Sequence, residues 1–117
     1  MERCKFKVSA YFGDGRNHKA IDLAANNGVA IFASASGIVT FAGYDGDYGY
    51  NVVIDHGNGI QTRYAHASYL TVSKGQVVSQ GDMIGAVGST GYSTGNHLHF
   101  EVIINGTRVN PAPYIGL

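Results

Sequence analysis

The hexapeptide HLHFEV at positions 97–102 constrains the fold of this chain more than any other segment. Its residues alternate between polar and apolar, and this period of two predicts a β-strand, because successive side chains of a strand point to opposite faces. Leucine, phenylalanine and valine would enter a core, while His97, His99 and Glu101 share the other face. Two imidazoles about 6–7 Å apart on one strand face can serve one small site in different roles.

The remaining sequence also favours short strands joined by tight turns. The chain has 17 glycines but only 2 prolines, and it shows no long amphipathic helical pattern. The segments 56–59 (HGNG) and 105–106 (NG) are strong hairpin signals. Residues 18–25 fit either a short helix or a strand. These features predict an all-β fold of antiparallel sheets.

Length and charge limit the possible functions. A chain of 117 residues fits one domain, which we expect to span residues 1–117 with a core of about 8–115. The 8 basic and 8 acidic residues leave no net charge, which argues against a nucleic-acid partner. The single cysteine, Cys4, excludes an internal disulfide and a cysteine zinc knuckle.

The sequence also bears on membranes and export. No apolar run approaches the roughly 18 residues that a membrane-spanning helix needs, so we expect a protein that is not transmembrane. The first residues, MERCK, lack the apolar stretch of a secretory signal. We therefore expect either a protein that is not exported by that route or a module of a longer chain.

The histidines carry the chemical signal, and there are five of them: His18, His56, His66, His97 and His99. His18 and Asp22 are four residues apart, which on a helix places both on one face. On a straight strand the same spacing separates them by about 13 Å, too far to share one ion. A shared metal therefore needs a helical turn or a bend at His18. His56 lies in a predicted hairpin turn and is expected to be structural.

Taken together, these residues offer imidazole and carboxylate donors for one metal ion. A catalytic zinc site uses three such protein ligands and keeps a fourth position open for water. Other divalent ions also accept carboxylate and imidazole, but a tetrahedral set of two nitrogens and one oxygen favours zinc. The residues by themselves leave a solvated strand face as the alternative.

Several motifs in a fixed order carry a family resemblance. The main ones are His18-xxx-Asp22, Tyr64-Ala65-His66, Gly88-Ser89-Thr90-Gly91 and His97-Leu98-His99-Phe100-Glu101. With these motifs the chain resembles the lysostaphin-type zinc metallopeptidases of the M23 family, which cleave peptidoglycan peptides. The resemblance covers roughly residues 8 to 115. One departure is Ala20, where the family usually has glycine.

The resemblance implies a function and a role for each residue. His18, Asp22 and His99 would bind one zinc ion per chain, and His66 and His97 would be the catalytic pair that handles the proton and the transition state. The enzyme would be a zinc metalloendopeptidase that hydrolyses a cross-bridge or stem-peptide bond of peptidoglycan through a zinc-activated water. We favour His97 as general base, because its strand fixes its distance to the metal. Glu101 either orients a neighbouring histidine or is solvated.

The resemblance also implies an architecture and a setting. The antiparallel sheets would form a barrel-sandwich-like arrangement (a duplicated hybrid motif) around a narrow groove with a rim of loops. We expect those loops at 13–17, 44–50, 67–69 and 88–96. Tyrosines that could contact a ligand are Tyr11, Tyr48, Tyr50 and Tyr92. We expect a monomer that acts outside the cytoplasm, a location inferred from the substrate, with a peptidoglycan peptide as its partner.

Two other functions deserve comparison. A non-catalytic relative that binds cell wall or regulates other wall hydrolases would usually lack zinc ligands, whereas all of them are present here. A lipoyl- or biotinyl-type carrier would share the hairpin at residues 75–82, but the chain has no Met-Lys pair for the modified lysine. A phosphocarrier with paired histidines would have no need of Asp22. The zinc metalloendopeptidase is therefore the favoured hypothesis.

Overall fold

The structure, a computed structural model, describes residues 7–10, 20–91 and 95–111. The described residues form ten strands, and every strand pair is antiparallel. The strands are β1 (Lys7–Ala10), β2 (Ile21–Ala24), β3 (Ala30–Phe32), β4 (Gly37–Asp45), β5 (Gly49–Gly57), β6 (Ile60–Leu70), β7 (Val77–Val78), β8 (Met83–Val87), β9 (His97–Ile104) and β10 (Thr107–Val109). The predicted all-β, antiparallel class is confirmed.

Strands β2, β9 and β6 form the part of the sheet that matters for function. The main path runs β1-β2-β9-β6-β5-β4-β7, while β10 pairs with β9, and β8 pairs with both β6 and β3. This path is not closed into a barrel. The segment that fitted either a helix or a strand contains strand β2, which lies directly beside β9. Within the described ranges, no helix is long and apolar enough to span a membrane.

The alternation in β9 produces the predicted division of faces. Leu98, Phe100 and Val102 are fully buried in the hydrophobic core. The ring of Tyr64 on β6 packs against Phe100 with centroids 5.2 Å apart. Burying these side chains fixes the register, because a slip of one residue would move the apolar set to the opposite face. The polar side chains of β9 are thereby held on the other face.

The register of the neighbouring strands decides which side chains flank that polar face. Asp22 of β2 lies opposite His99, and Ala65 of β6 lies opposite the same residue from the other side. Arg63 of β6 lies opposite Glu101. Directly opposed residues of an antiparallel pair project to the same face, so these side chains meet over the middle of β9.

Two of the predicted groove loops are more regular than expected. The segment 44–50 is mostly strand: β4 extends to Asp45, β5 begins at Gly49, and a 3-10 turn at Gly46–Tyr48 joins them. Residues 67–69 belong to strand β6. Cross-strand pairing explains the first difference, since Tyr44 and Tyr50 lie opposite each other in an edge-to-face contact. The 13–17 loop lies outside the described residues.

Both predicted hairpin turns are present. Asn58 and Gly59 have φ angles of 55° and 79°, and Asn105 and Gly106 have φ angles of 52° and 82°. Two successive positive φ angles are typical of the type I′ turn, whose twist matches that of the strands. The second hairpin returns the chain along β9 as β10.

Candidate active site

Three histidines and one aspartate from β2, β6 and β9 converge on the polar face of the sheet. One donor atom each of His66, His97 and His99 lies within 4.8 Å of the others. Oδ1 of Asp22 lies 2.9 Å from Nδ1 of His99 and 3.7 Å from Nε2 of His97. Four of the five residues predicted for the site are therefore neighbours. The fifth, His18, lies outside the described residues.

The donor set fits a small divalent metal. Zinc binds imidazole nitrogen and carboxylate oxygen at about 2.0–2.2 Å, so two ligands of a tetrahedral ion lie about 3.3 Å apart. The distances of 2.9 Å and 3.7 Å from Asp22 Oδ1 to two imidazole nitrogens bracket this separation. The chemistry of the donors, imidazole and carboxylate without thiolate, also suits zinc. The geometry allows two ligand sets that share His99, since the other two histidines of the cluster could replace Asp22 and His18.

His99 has a carboxylate on each side of its ring. Its Nδ1 lies 2.9 Å from Asp22 Oδ1, and its Nε2 lies 2.9 Å from Glu101 Oε2. Burial alone would lower the pKa of His99, but the hydrogen bonds to Asp22 and Glu101 outweigh burial and raise that pKa to about 9. Without metal, the ring is thus an imidazolium that donates to both carboxylates. A metal at Nδ1 must replace that proton.

Glu101 is an integral part of the site. Its side chain is fully buried and accepts a hydrogen bond from the Tyr48 hydroxyl at 3.0 Å. Arg63 and Arg108 approach its two oxygens at 3.5 Å and 3.6 Å. Burial raises the pKa of Glu101, but the contacts with His99, Arg63 and Tyr48 more than offset this effect, so that the pKa is lowered. Of the two roles left open by the sequence, the geometry favours the orientation of His99 over solvation.

His66 enters the site through an unusual backbone conformation. A strand would point His66 away from the face that Ala65 occupies, but His66 has a φ of 63°, in the left-handed region. It lies where β6 stops pairing with β9 and begins to pair with β8. This local break brings the ring toward His99, with centroids 5.6 Å apart. Strained backbone of this kind is often found at functional sites.

The ring of His66 is held by the loop that follows β8. Its Nδ1 lies 2.7 Å from the carbonyl oxygen of Thr90. Because a carbonyl only accepts, Nδ1 must carry the hydrogen, which leaves the lone pair on Nε2. Burial, the first cause, and the neighbouring His97 and His99 lower the pKa of His66, against the opposing effect of the Thr90 carbonyl. At neutral pH this ring is uncharged.

A close contact between two glycines holds the Thr90 loop in place. Gly49 and Gly91 both have positive φ angles, of 64° and 73°. A Cβ atom at Gly91 would collide with the backbone nitrogen of Gly49 and the carbonyl of Asp47, and a Cβ atom at Gly49 would collide with Thr90. Thr90 Oγ1 also accepts a hydrogen bond from the Tyr50 amide at 3.1 Å. The 3-10 turn and the loop thus form one close-packed unit.

His97 lies beside His66, as the predicted pairing of the two requires. Their ring centroids are 4.9 Å apart. Nδ1 of His97 lies 3.0 Å from the carbonyl oxygen of Gly95, so this nitrogen also carries a hydrogen. The two rings are therefore oriented in the same way: each donates a hydrogen bond from Nδ1 to a loop carbonyl.

Some residues of the site have no separate signal in the sequence. The guanidinium of Arg63 lies over the ring of Tyr48, 4.1 Å from its centroid, and the Tyr48 hydroxyl donates to Glu101. The possible ligand contact of Tyr48 stays a prediction. Only the strand register places Arg63 opposite Glu101, and only the pairing of β10 with β9 brings Arg108 near the site. Tyr11 and Tyr92 lie outside the described residues.

His56 has ordinary structural partners. Its Nδ1 lies 2.8 Å from the carbonyl oxygen of Ser36, and its Nε2 lies 2.7 Å from Thr62 Oγ1. Both ring nitrogens are therefore occupied within the fold. This arrangement agrees with the structural role that its hairpin position predicted.

Comparison with known proteins identifies related sequences. The family described as peptidase family M23 matches residues 16–111. The DD-carboxypeptidase/endopeptidase Mpg of Neisseria meningitidis serogroup B is 52% identical over 96 residues, which are 82% of this chain and 22% of that protein. The murein hydrolase activator NlpD of Escherichia coli is 40% identical over 112 residues, which are 93% of this chain and 29% of that protein. The chain thus spans less than a third of either relative.

A solved structure agrees with the fold. A zinc-containing peptidase from Vibrio cholerae superposes with a TM-score of 0.89 at 28% sequence identity, over 100% of this chain and 38% of that one. The similarity therefore extends over the whole sheet that carries the histidines.

Proposed function

The chain belongs to peptidase family M23, and on this basis we propose that it is a zinc metalloendopeptidase that hydrolyses peptide bonds of bacterial peptidoglycan. The observation that carries the proposal is the convergence of Asp22, His66, His97 and His99 on one sheet face. A relative named peptidoglycan DD-endopeptidase, ShyA of Vibrio cholerae, is 45% identical over 96 residues and supports the choice of substrate. A peptidoglycan substrate also supports a location outside the cytoplasm.

We assign the metal to His18, Asp22 and His99, the set implied by the family motifs. The short distance between His99 Nδ1 and Asp22 Oδ1 supports two of these ligands. Zinc in such a site supplies Lewis-acid polarisation of the scissile carbonyl and makes water more acidic. Glu101 holds the far nitrogen of His99, which fixes the orientation of the ring.

The remaining histidines would move the protons of hydrolysis. The reaction forms a bond from water oxygen to the scissile carbonyl carbon and breaks the bond from that carbon to nitrogen. One proton must leave the water, and one must reach the departing nitrogen. His66 is uncharged at neutral pH, with its lone pair on Nε2, so it can take the first proton and deliver it to the leaving group.

His97 would then steady the oxyanion as a hydrogen-bond donor. Its Nε2, the ring nitrogen that the Gly95 carbonyl does not hold, lies 3.7 Å from Asp22 Oδ1. This division of labour differs from the expectation that His97 is the base. It follows from the lowered pKa of His66, which the sequence could not supply.

A second function has an observation in its favour. The similarity to the activator NlpD covers 93% of the chain, so a non-catalytic module that regulates wall hydrolases is the competing proposal. The complete set of four convergent side chains supports the enzyme, because an activator has no need of a metal or a base.

The decisive experiment measures metal and product together. Purified protein should contain about one zinc per chain, and it should release muropeptides from purified peptidoglycan, as followed by mass spectrometry. Chelation should stop the release, and added zinc should restore it. A His56→Ala variant serves as a control that removes an imidazole outside the site. Metal-free, inactive protein that instead stimulates a separate wall hydrolase would support the activator.

A further inference from the structure

An arginine lines the cleft beside the candidate metal centre. The volume of the cleft is about 310 Å³, and its lining residues are Asp47, Tyr48, His66, His99, Glu101 and Arg108. A cleft of this size is at the lower end of the range for small ligands. It places an arginine from the last strand, β10, in the same space as the two histidines.

Strand register explains why Arg108 reaches this cleft. Arg108 lies opposite Ile103 of β9. Ile103 shares a face with Glu101 and His99, because every second residue of a strand projects to the same side. A single oxygen, Glu101 Oε2, lies 3.6 Å from Arg108 Nη1 and 2.9 Å from His99 Nε2. One carboxylate oxygen thus separates the guanidinium from the ring of the metal ligand.

Arg108 is the more exposed of the two arginines beside Glu101. The side chain is 45% exposed, whereas that of Arg63 is 23% exposed. Glu101 already has Arg63 at 3.5 Å and the His99 ring at 2.9 Å as cationic neighbours. Its charge is therefore balanced without Arg108. The one ion pair of Arg108 among the described residues uses a single nitrogen at a long distance.

We propose that Arg108 is the subsite for a carboxylate on the substrate residue that leaves the scissile bond. The proposal rests on the proposed peptidase function and specifies its substrate class: peptides cut next to a residue that bears a free α-carboxylate. That carboxylate stands only three bonds from the scissile carbonyl carbon, so a short cleft can hold both. A guanidinium pairs with a carboxylate through parallel, charge-assisted hydrogen bonds.

The alternative substrate class is an internal peptide bridge, in which the α-carboxyl carbon of the leaving residue is part of another amide bond. Such a residue would bring no negative charge to Arg108. The Neisseria relative is named both a carboxypeptidase and an endopeptidase, and a carboxypeptidase by definition releases a residue with a free carboxylate. One arginine subsite would accept both a chain terminus and a cross-link whose leaving residue keeps its carboxylate.

The test compares one peptide substrate with its amide analogue, which lacks the C-terminal charge. Zinc-loaded wild-type protein and the Arg108→Gln variant are assayed on an N-acylated D-Ala-D-Ala peptide and on the same peptide with a C-terminal amide. The loss of a charged hydrogen-bond pair is expected to lower kcat/KM on the carboxylate peptide by about 10- to 100-fold. On the amide, the variant should stay within about twofold of the wild type, and Arg108→Lys should recover part of the loss.

The amide arm separates binding from an indirect effect. If Arg108 acted only through Glu101 and His99, both peptides would lose the same factor, and that result would overturn the proposal. Asp47→Asn is the matched control: it removes the other exposed charge that lines the cleft, and it should not weaken the preference for the carboxylate.

A binding measurement keeps this proposal distinct from the proposed function. NMR titration of metal-free protein with the carboxylate peptide should shift resonances of β10, and the shifts should vanish in Arg108→Gln. If the wild type cleaves neither peptide nor peptidoglycan, the peptidase proposal fails, while this titration still supports or overturns the subsite. Equal affinity of the wild type for peptide and amide would reject it.

Discussion

Nε2 of His99 lies 2.9 Å from Oε2 of the fully buried Glu101. This contact leaves Nδ1 of the same ring facing Asp22 at 2.9 Å. The carboxylate at the far side of the ring thus leaves Nδ1 as the nitrogen that would bind the proposed metal. Arg63 and Tyr48 hold that carboxylate in turn, so the orientation of one ligand depends on a small buried network.

Removal of the charge at position 101 should weaken metal binding. In Glu101→Gln, an amide keeps the size of the side chain but loses the charge that supports His99, and its amino group opposes Arg63. We expect zinc affinity to fall by about 10- to 100-fold, as measured by competition with a chromogenic chelator. Thr40→Ala, on a strand away from β9, should leave affinity unchanged. An unaltered affinity in Glu101→Gln would show that the network does not tune the metal.

Substitutions of the proposed ligands and of the proton-transfer pair should differ in their effect on zinc content. Asp22→Ala and His99→Ala should each lose most of the bound zinc, because a site with two protein ligands holds zinc poorly. Zinc content by atomic absorption, measured beside circular dichroism to confirm folding, checks this outcome. Full zinc retention by either variant would remove that residue from the ligand set.

His66→Ala and His97→Ala should keep about one zinc per chain and lose at least about 100-fold in turnover, the usual contribution of acid–base catalysis. The pH dependence of kcat/KM identifies the base: its acidic limb should reflect the lowered pKa of His66. Loss of zinc from either variant would instead favour the ligand set that includes the three histidines.

The contact between Gly91 and Gly49 predicts a steric effect on the site. In Gly91→Ala the new methyl group collides with the backbone of the 3-10 turn, which should displace the Thr90 carbonyl from His66. We expect a loss of unfolding free energy of more than about 1 kcal/mol, together with lower activity. Gly28→Ala is the matched control, because Gly28 also has a positive φ, of 90°, but a Cβ atom there meets nothing within 4 Å. Equal losses in both variants would assign the effect to φ strain alone.

The raised pKa of His99 predicts how the stability of the metal-free protein depends on pH. Its folded pKa of about 9 lies above the ordinary value of 6.5, so the stabilisation is complete below pH 6.5 and is lost as the pH rises through 9. The loss amounts to at most about 3 kcal/mol, and urea unfolding at pH 6.5 and pH 9 measures it. The pKa of His66 is lowered, so its titration affects stability only at pH values below this range.

Two comparisons complete the pH experiment. His99→Gln should remove most of the slope between pH 6.5 and pH 9 from the metal-free protein. Zinc should reverse the trend, because metal binding competes with the proton and strengthens as the pH rises. A wild-type slope that persists unchanged in His99→Gln would place the titrating group elsewhere.

Much of the fold could be predicted from the sequence. The alternation in β9 fixes both a strand and its buried face, and the two turns with asparagine and glycine fix hairpins, because these features depend on local geometry alone. The local pattern of residues 18–25 was ambiguous for the same reason, because its apolar residues fit either a short helix or a strand. Pairing with β9 decided it, since backbone hydrogen bonds along β9 favour the strand.

The sequence by itself also indicated the histidines and the aspartate that converge on one sheet face, because their residue types and motif order suffice for that inference. Only the tertiary structure decided how they work together. The left-handed backbone of His66, the carbonyl of Thr90 on its ring and the contacts of Arg63 and Tyr48 with Glu101 all arise from contacts between segments distant along the chain. Such contacts depend on strand register and close packing, and these are properties of the folded sheet rather than of any local run of residues.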